Sequence, residues 1–445
     1  ALGRIAWPTM IAQVAQMGTG VVDTIMAGRY SAVDLAAIAI GYNIWLPLFL
    51  LTLGIMLATS VTVAQDFGAG KLQQVRDSLP QALWLAVALG AVVGPLCFNA
   101  GPLVALLDLE GVTYEKSLGY LQAVAFGLPA TVIFQALRCH TQGLGIMRPF
   151  AIASVLGLLA NVPLNYMLIY GKWGAPELGA TGCGWATAIS MWLSPVLIGI
   201  YMAINGRMRP YLPPLRPVAL NLRMQLDILR LGIPIGLTFF LEMGIFTVIG
   251  LMIATLGTSA MAAHQIAYNI WDVVYMLMIS VGSATATRVG HAIGSGDHQG
   301  ISLSVRTGMS LTLLIGLTCA SALLLMPGVL IAIYTSEAEI HAIAGSLIRL
   351  TALFILLDSL QVASAYVLRA FRDTRYPFLV LCLSYWVLSL PLAWWLGMVR
   401  ADHAADATAG VWQALIVGML VSTLFIGMRL YRRLQRLQHD PGVAN

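Results

Sequence analysis

Two acidic side chains stand alone inside long apolar runs. Between Leu231 and Trp271 the only acid or base other than His264 is Glu242, and between Arg349 and Arg369 the only charge is Asp358. If these runs lie in lipid, each carboxylate either faces a bundle interior and marks an ion or solute path, or bonds a neighbouring helix as the neutral acid. Asp358 shares a helical stripe with Thr351, Phe354, Gln361 and Ala365, a small and polar face suited to lining an interior. A third acid, Asp23, falls on one face with Gln13, Gln16, Gly20, Thr24 and Ala27, about two turns inside Arg29. A structural partner or water contact fits Asp23 as well as a functional role does. Burial penalises the ionised form of such groups and a nearby cation favours it, so proton, metal ion and cationic solute compete for the same negative charge. Asn161 and Asn165, one turn apart, either bond across helices or line the same interior. Trp45, Phe49, Phe239, Phe240, Met243, Tyr275 and Met276 are either packing or a cushion for an apolar ligand. Asp34, Asp66 and Asp272 lie near run ends and read as solvated or capping.

The elements that must position these groups are membrane spans. Of 445 residues 59% are hydrophobic and 10% charged, more apolar surface than globular cores can hide. Apolar stretches near 5–28, 43–65, 79–99, 118–137, 149–170, 181–204, 231–255, 268–290, 303–327, 340–366, 377–398 and 409–429 predict twelve spans. The chain is one half written twice. Tyr42-Asn43-Ile44-Trp45 recurs as Tyr268-Asn269-Ile270-Trp271, and the same offset pairs Arg4 with Arg230, Pro8 with Pro234, Gly68 with Gly294 and Gly70 with Gly296. With a drifting register Leu137-Arg138 answers Leu368-Arg369, Pro149-Phe150 answers Pro377-Phe378, Pro163 answers Pro391 and Trp185 answers Trp412. Six spans per half make the repeat parallel, and duplicated bundles of this kind usually carry a solute between their halves. Gln16 is the counterpart of Glu242, so equivalent positions are loaded differently.

Loops after even-numbered spans, together with the two ends, are expected to hold nineteen basic residues, Arg138 and Arg369 among them; the opposite loops hold four, Arg29, Lys116, Lys172 and Arg400. That bias predicts cytoplasmic termini. The expected organisation is a six-helix lobe over 1–204, a Pro-rich linker over 205–228 with Pro210, Pro213, Pro214 and Pro217, a second lobe over 229–431 and a tail over 432–445. Five isolated cysteines suggest neither a disulfide frame nor a metal site. The absence of GxxxxGK[ST], HExxH and a well-placed GxSxG argues against an enzyme or a nucleotide-driven pump and leaves an ion gradient as the energy source. The sequence pI of about 9.0 comes from arginines between apolar runs, with no basic domain for nucleic acid.

At Val22-Asp23-Thr24-Ile25-Met26-Ala27-Gly28, Leu35-Ala36-Ala37, Asn161-Val162-Pro163-Leu164-Asn165, Leu168-Ile169-Tyr170-Gly171 and Leu368-Arg369-Ala370-Phe371-Arg372-Asp373-Thr374-Arg375, the sequence resembles the multidrug and toxic compound extrusion (MATE) family, NorM-like branch. The resemblance covers essentially the whole chain. It implies an all-α, twelve-helix, two-lobed exporter of amphipathic, often cationic drugs, driven by proton or sodium influx through alternating access, without an organic cofactor. It assigns cation coupling to Glu242, Asp358 and Asp23, with Glu242 and Asp358 as ligands if the ion is sodium and Asp23 tied to proton coupling or drug binding. Some sodium-coupled relatives carry tyrosine where this chain has Phe354, which tips the expectation toward the proton. A monomer in a bacterial inner membrane is expected. The alternatives from other classes are a lipid-linked precursor flippase of related fold, for which a strongly cationic cavity is wanting, and a membrane-embedded transferase, for which an acidic metal-binding loop is wanting.

Overall fold

The computed structural model describes residues 2–109, 111–213, 218–401 and 403–439. Pro214, Arg216 and Pro217 of the expected linker and residues 440–445 of the expected tail lie outside the described residues. Twelve long helices account for most of the chain: α1 Leu2–Tyr30, α2 Ala32–Gly68, α3 Leu72–Phe98, α4 Gly111–Gly143, α5 Arg148–Tyr170, α6 Ala180–Ile204, α7 Leu222–Ala254, α8 Thr258–Ser295, α9 His298–Leu325, α10 Ala338–Ala370, α11 Arg375–Val399 and α12 Ala404–His439. Among the described residues, eleven of them are long and apolar enough to cross a bilayer. The exception is α1, diluted by Gln13, Gln16 and Asp23.

The repeat is written in the backbone. Gly70 after α2 and Gly296 after α8 both take φ +68°, a left-handed turn that a side chain would strain. Within the first half α4 packs against α2, α3 and α6; within the second, the equivalent α10 packs against α8, α9 and α12. Pro163 leaves α5 an α-helix, whereas around its counterpart Pro391 the backbone of α11 widens into π-helical turns over Leu383–Ser389 and Trp395–Val399. A proline removes a backbone donor, and a wider turn is one way a helix absorbs the loss.

The chain divides into two compact units, Gly3–Gly236 and Leu237–Asn445. The division falls inside α7 because Gly232 and Gly236 lie directly against the backbone of Ile55 and Leu51 on α2. The segment before α7 is tied to α3: Arg76 donates to the Pro210 carbonyl at 2.6 Å, Gln81 to that of Ala219 at 2.7 Å and Trp84 to that of Val218 at 3.2 Å.

One expectation needs correction. Several arginines expected in loops, Arg76, Arg138, Arg230, Arg288, Arg306 and Arg369, lie inside helices because the helices run past the apolar stretches; Arg138 and Arg369 are also buried, 7% and 8% exposed, with their guanidinium groups over aromatic rings. Of the two readings of Asp34, solvated or capping, the second holds. The side chain is fully buried, ion-paired with Lys116 of α4 and hydrogen-bonded at 2.7 Å to the backbone N–H of Ala180, so it caps α6 from a distance.

Candidate functional site

In the second half, α8 and α10 bring together the Trp271 indole and Asp358, with Nε1–H donating to Oδ2 at 2.9 Å. Asp358 is 2% exposed, and this is its only hydrogen bond among the described residues. The indole is held by rings on several helices: Phe246 stacks on it at 4.6 Å, Tyr275 lies at 5.1 Å and Phe354 meets it edge-on at 5.9 Å. Phe354 is itself fully buried and turns its edge to Trp412 at 6.1 Å, whose Nε1–H donates to His264 Nδ1 at 3.2 Å.

Glu242, on α7, is half-buried and takes no hydrogen bond among the described residues. It shares its electrostatic surroundings with Asp358 and with Arg369 of α10. The hydroxyls of Tyr275 and of Tyr385 on α11 feel both carboxylates. The Arg369 guanidinium lies 4.4 Å from the Tyr366 ring centroid and 5.0 Å from that of Phe239, one turn before Glu242. A Cβ on Gly282 would stand 2.9 Å from the Tyr366 ring, so the bare backbone of α8 lets that ring sit where it can carry the guanidinium.

The first half is arranged differently. Asp23 is 6% exposed and both its oxygens are occupied: Oδ1 accepts from Asn165 Nδ2 at 2.6 Å and Oδ2 from the Thr187 hydroxyl at 3.1 Å. Asn165 Nδ2 also reaches Asn161 Oδ1 at 2.9 Å, and the Tyr170 hydroxyl donates to the Met26 carbonyl at 2.7 Å, fixing α1 against α5. Trp45, the repeat partner of Trp271, donates at 3.3 Å to the Tyr120 hydroxyl, where Trp271 has a carboxylate to address.

Of the residues singled out by sequence, Asp23, Asn161 and Asn165 form one network, while Glu242, Asp358, Phe239 and Tyr275 surround Arg369 or share its field. Gln361 is buried on α10, Met243 accepts a weak contact from the Tyr268 hydroxyl at 3.9 Å, and Gln13 and Gln16 are partly buried on α1. Thr24 is exposed and bonds back to the Gly20 carbonyl at 2.8 Å, away from Asp23. The residues that sequence reading did not assign to the site are Trp271, Tyr366, Arg369, Tyr385 and Thr187. The repeat held the signal for two of them: Trp271 is part of the duplicated Tyr-Asn-Ile-Trp, and Arg369 of the duplicated Leu-Arg.

The MatE family signature matches residues 8–167 and 234–395, one block in each half. The multidrug resistance protein PmpM of Pseudomonas aeruginosa is 38% identical over 98% of this chain and 92% of its own length. The multidrug resistance protein NorM of Vibrio cholerae is 36% identical over 96% of this chain and 94% of its own. Among solved structures, the outward-facing conformation of a multidrug resistance MATE family transporter superposes with a TM-score of 0.86 at 19% identity, covering 99% of this chain and 96% of that one. The eukaryotic MATE transporter AtDTX14 superposes with a TM-score of 0.84 at 19% identity, covering 99% and 98%. With the duplicated six-helix halves, the signature and the near full-length relatives in agreement, the chain belongs to the MATE family of membrane transporters and is not an enzyme.

Proposed function

We propose that this chain exports amphipathic, often cationic drugs across a bacterial inner membrane in exchange for an inward cation, by alternating access, with both termini in the cytoplasm. The names of its relatives support multidrug export. The observation that carries the coupling site is the state of the second-half carboxylates: among the described residues Asp358 has a single donor and Glu242 none, within reach of the same field. A carboxylate short of donors retains capacity for an external cation, whether a proton, a metal ion or a drug ammonium. Two cations that compete for one charge exclude each other, and that exclusion is antiport. Asp23 is a further coupling candidate.

The coupling ion we propose is the proton. Phe354 contributes no oxygen, and the group bonded to Asp358 is an indole N–H, which cannot ligate a metal. The hydroxyls of Tyr275 and Tyr385 are the oxygens a sodium site would draw on together with Glu242 and Asp358. Residues 205–228 act as the linker in this reading, and the working unit is a monomer. The test is drug flux in sodium-free proteoliposomes under an imposed pH gradient, followed by sodium addition at fixed pH and membrane potential. Proton coupling gives flux before sodium is added; flux that starts only with an inward sodium gradient replaces the proton by sodium.

A further inference from the structure

Arg369 is an arginine buried to more than nine-tenths whose Nη1 has no hydrogen-bond partner among the described residues. An unpaired N–H on a buried cation is costly and calls for an explanation. Two places for the guanidinium are visible. One is the aromatic shelf of Tyr366 and Phe239, where the guanidinium lies at 4.4 and 5.0 Å from the ring centroids. The other is the carboxylate of Glu242, one turn further along α7 from Phe239, whose field Arg369 already shares although the two form no ion pair within 4.0 Å. The groups facing the guanidinium from neighbouring helices are Glu242 on α7, Tyr275 on α8 and Tyr366 on its own helix, with Asp358 deeper on the same stripe.

The first half shows what the same arginine does without an acid to serve. Arg138 stacks on Phe150 at 4.1 Å and donates Nη1–H to Gln135 Oε1 at 3.1 Å. By the register that pairs Arg138 with Arg369, Gln135 answers Tyr366, and by the repeat offset Gln16 answers Glu242. The second half has thus exchanged a neutral hydrogen-bond partner for a tyrosine whose ring face, not its hydroxyl, meets the guanidinium, and has placed a carboxylate nearby.

We propose that Arg369 is a tethered competitor for the drug cation: it stays on the shelf while Glu242 is protonated, leaves it for Glu242 when that acid is ionised without a cationic substrate, and returns to it when such a substrate takes the carboxylate. Arg369 then sets how strongly the carrier prefers cationic over neutral substrates. The inference rests on the reading that Glu242 receives the drug's charge. Removing the competitor tightens binding of a cation and leaves a neutral molecule of similar shape alone, whereas loss of a merely structural arginine weakens both.

The test is equilibrium binding to the full chain in nanodiscs, with tetraphenylphosphonium as the cation and triphenylphosphine oxide as the neutral probe. Arg369→Gln is expected to lower the tetraphenylphosphonium Kd about tenfold, within the usual range of coupling between sites, and to leave the oxide unchanged. Arg369→Lys, which keeps the charge, is expected to stay near the parent. Arg369→Met replaces the glutamine variant if that does not insert. In a Glu242→Gln background the tightening is expected to vanish. A cation Kd that is unchanged or raised by Arg369→Gln, or tightening of both probes, overturns the tethered competitor. A Glu242→Gln protein that binds the cation like the parent instead overturns the assignment of Glu242.

Discussion

In the first half Asp23 has a donor on each oxygen, Asn165 at 2.6 Å and Thr187 at 3.1 Å, whereas in the second half Asp358 has Trp271 alone and Glu242 has none among the described residues. The packing of the central helices does not account for this difference, since α4 and α10 pack against equivalent helices in their two halves. Substitution at equivalent positions causes it. Ile249 answers Asp23, Gln16 answers Glu242 and Gly127 answers Asp358, so each half has lost or gained an acid on a common frame. A carboxylate with every oxygen engaged is a fixed part of its bundle, because displacing its donors leaves buried amides and hydroxyls unpaired. One short of donors is available to a cation that comes and goes. Duplication thus supplies a pair of similar bundles, and a few substitutions make one rigid and the other exchangeable.

The largest effect that could break this contrast is on transport. Glu242→Gln and Asp358→Asn remove the charge at nearly constant volume and should lower gradient-driven drug efflux by at least about 100-fold, a loss of about 2.7 kcal/mol of differential binding, with insertion and unfolding temperature unchanged. Parental efflux from either correctly inserted variant assigns that acid to structure. Asp23→Asn should cost less, about tenfold in efflux, since an asparagine keeps one oxygen for the donors of Asn165 and Thr187. A loss as complete as that of Glu242→Gln erases the distinction between the halves. Asn165→Leu should act on stability: it leaves the Asp23 carboxylate short of a charge-assisted bond and destabilises the protein by about 1.5–3 kcal/mol, read as a lowered denaturation midpoint in detergent. Unchanged stability makes the first-half network dispensable. The smallest effect concerns orientation. Cysteines placed within 205–213 or 218–226 should leave transport intact and label only from the cytoplasm, whereas ones near Lys172 or Glu337 should label only from outside; external labelling of the linker in intact cells reverses the topology.

The twelve spans were legible because hydropathy reports what lipid tolerates, yet the helices run further than the apolar stretches. Span 43–65 is the middle of α2, whose start is fixed by Ser31 accepting from the Val33 N–H and by the buried pair of Asp34 with Lys116. Hydropathy cannot see such contacts, and so it left open whether Asp34 is solvated or caps a helix. The lone carboxylates were legible as anomalies, and so was the face of α1 around Asp23. What sequence could not convey was depth for the arginines. A run that ends at residue 366 puts Arg369 in a loop, while in the structure α10 continues to Ala370 and the side chain folds back over Tyr366 and Phe239. Phe354 was readable as the loss of one oxygen ligand, but not as a ring sealed between Trp271 and Trp412 with tyrosine hydroxyls elsewhere in the carboxylates' field.

The central claim, that the exchangeable charge lies in the second half and binds a proton, is tested most directly by counting protons released when a permanently cationic drug binds the purified transporter in weakly buffered, sodium-free solution. Release is expected from the parent protein, none from Glu242→Gln or Asp358→Asn, and release retained in Asp23→Asn. Release that survives both second-half variants and disappears with Asp23→Asn would contradict it and move the exchange to the first half.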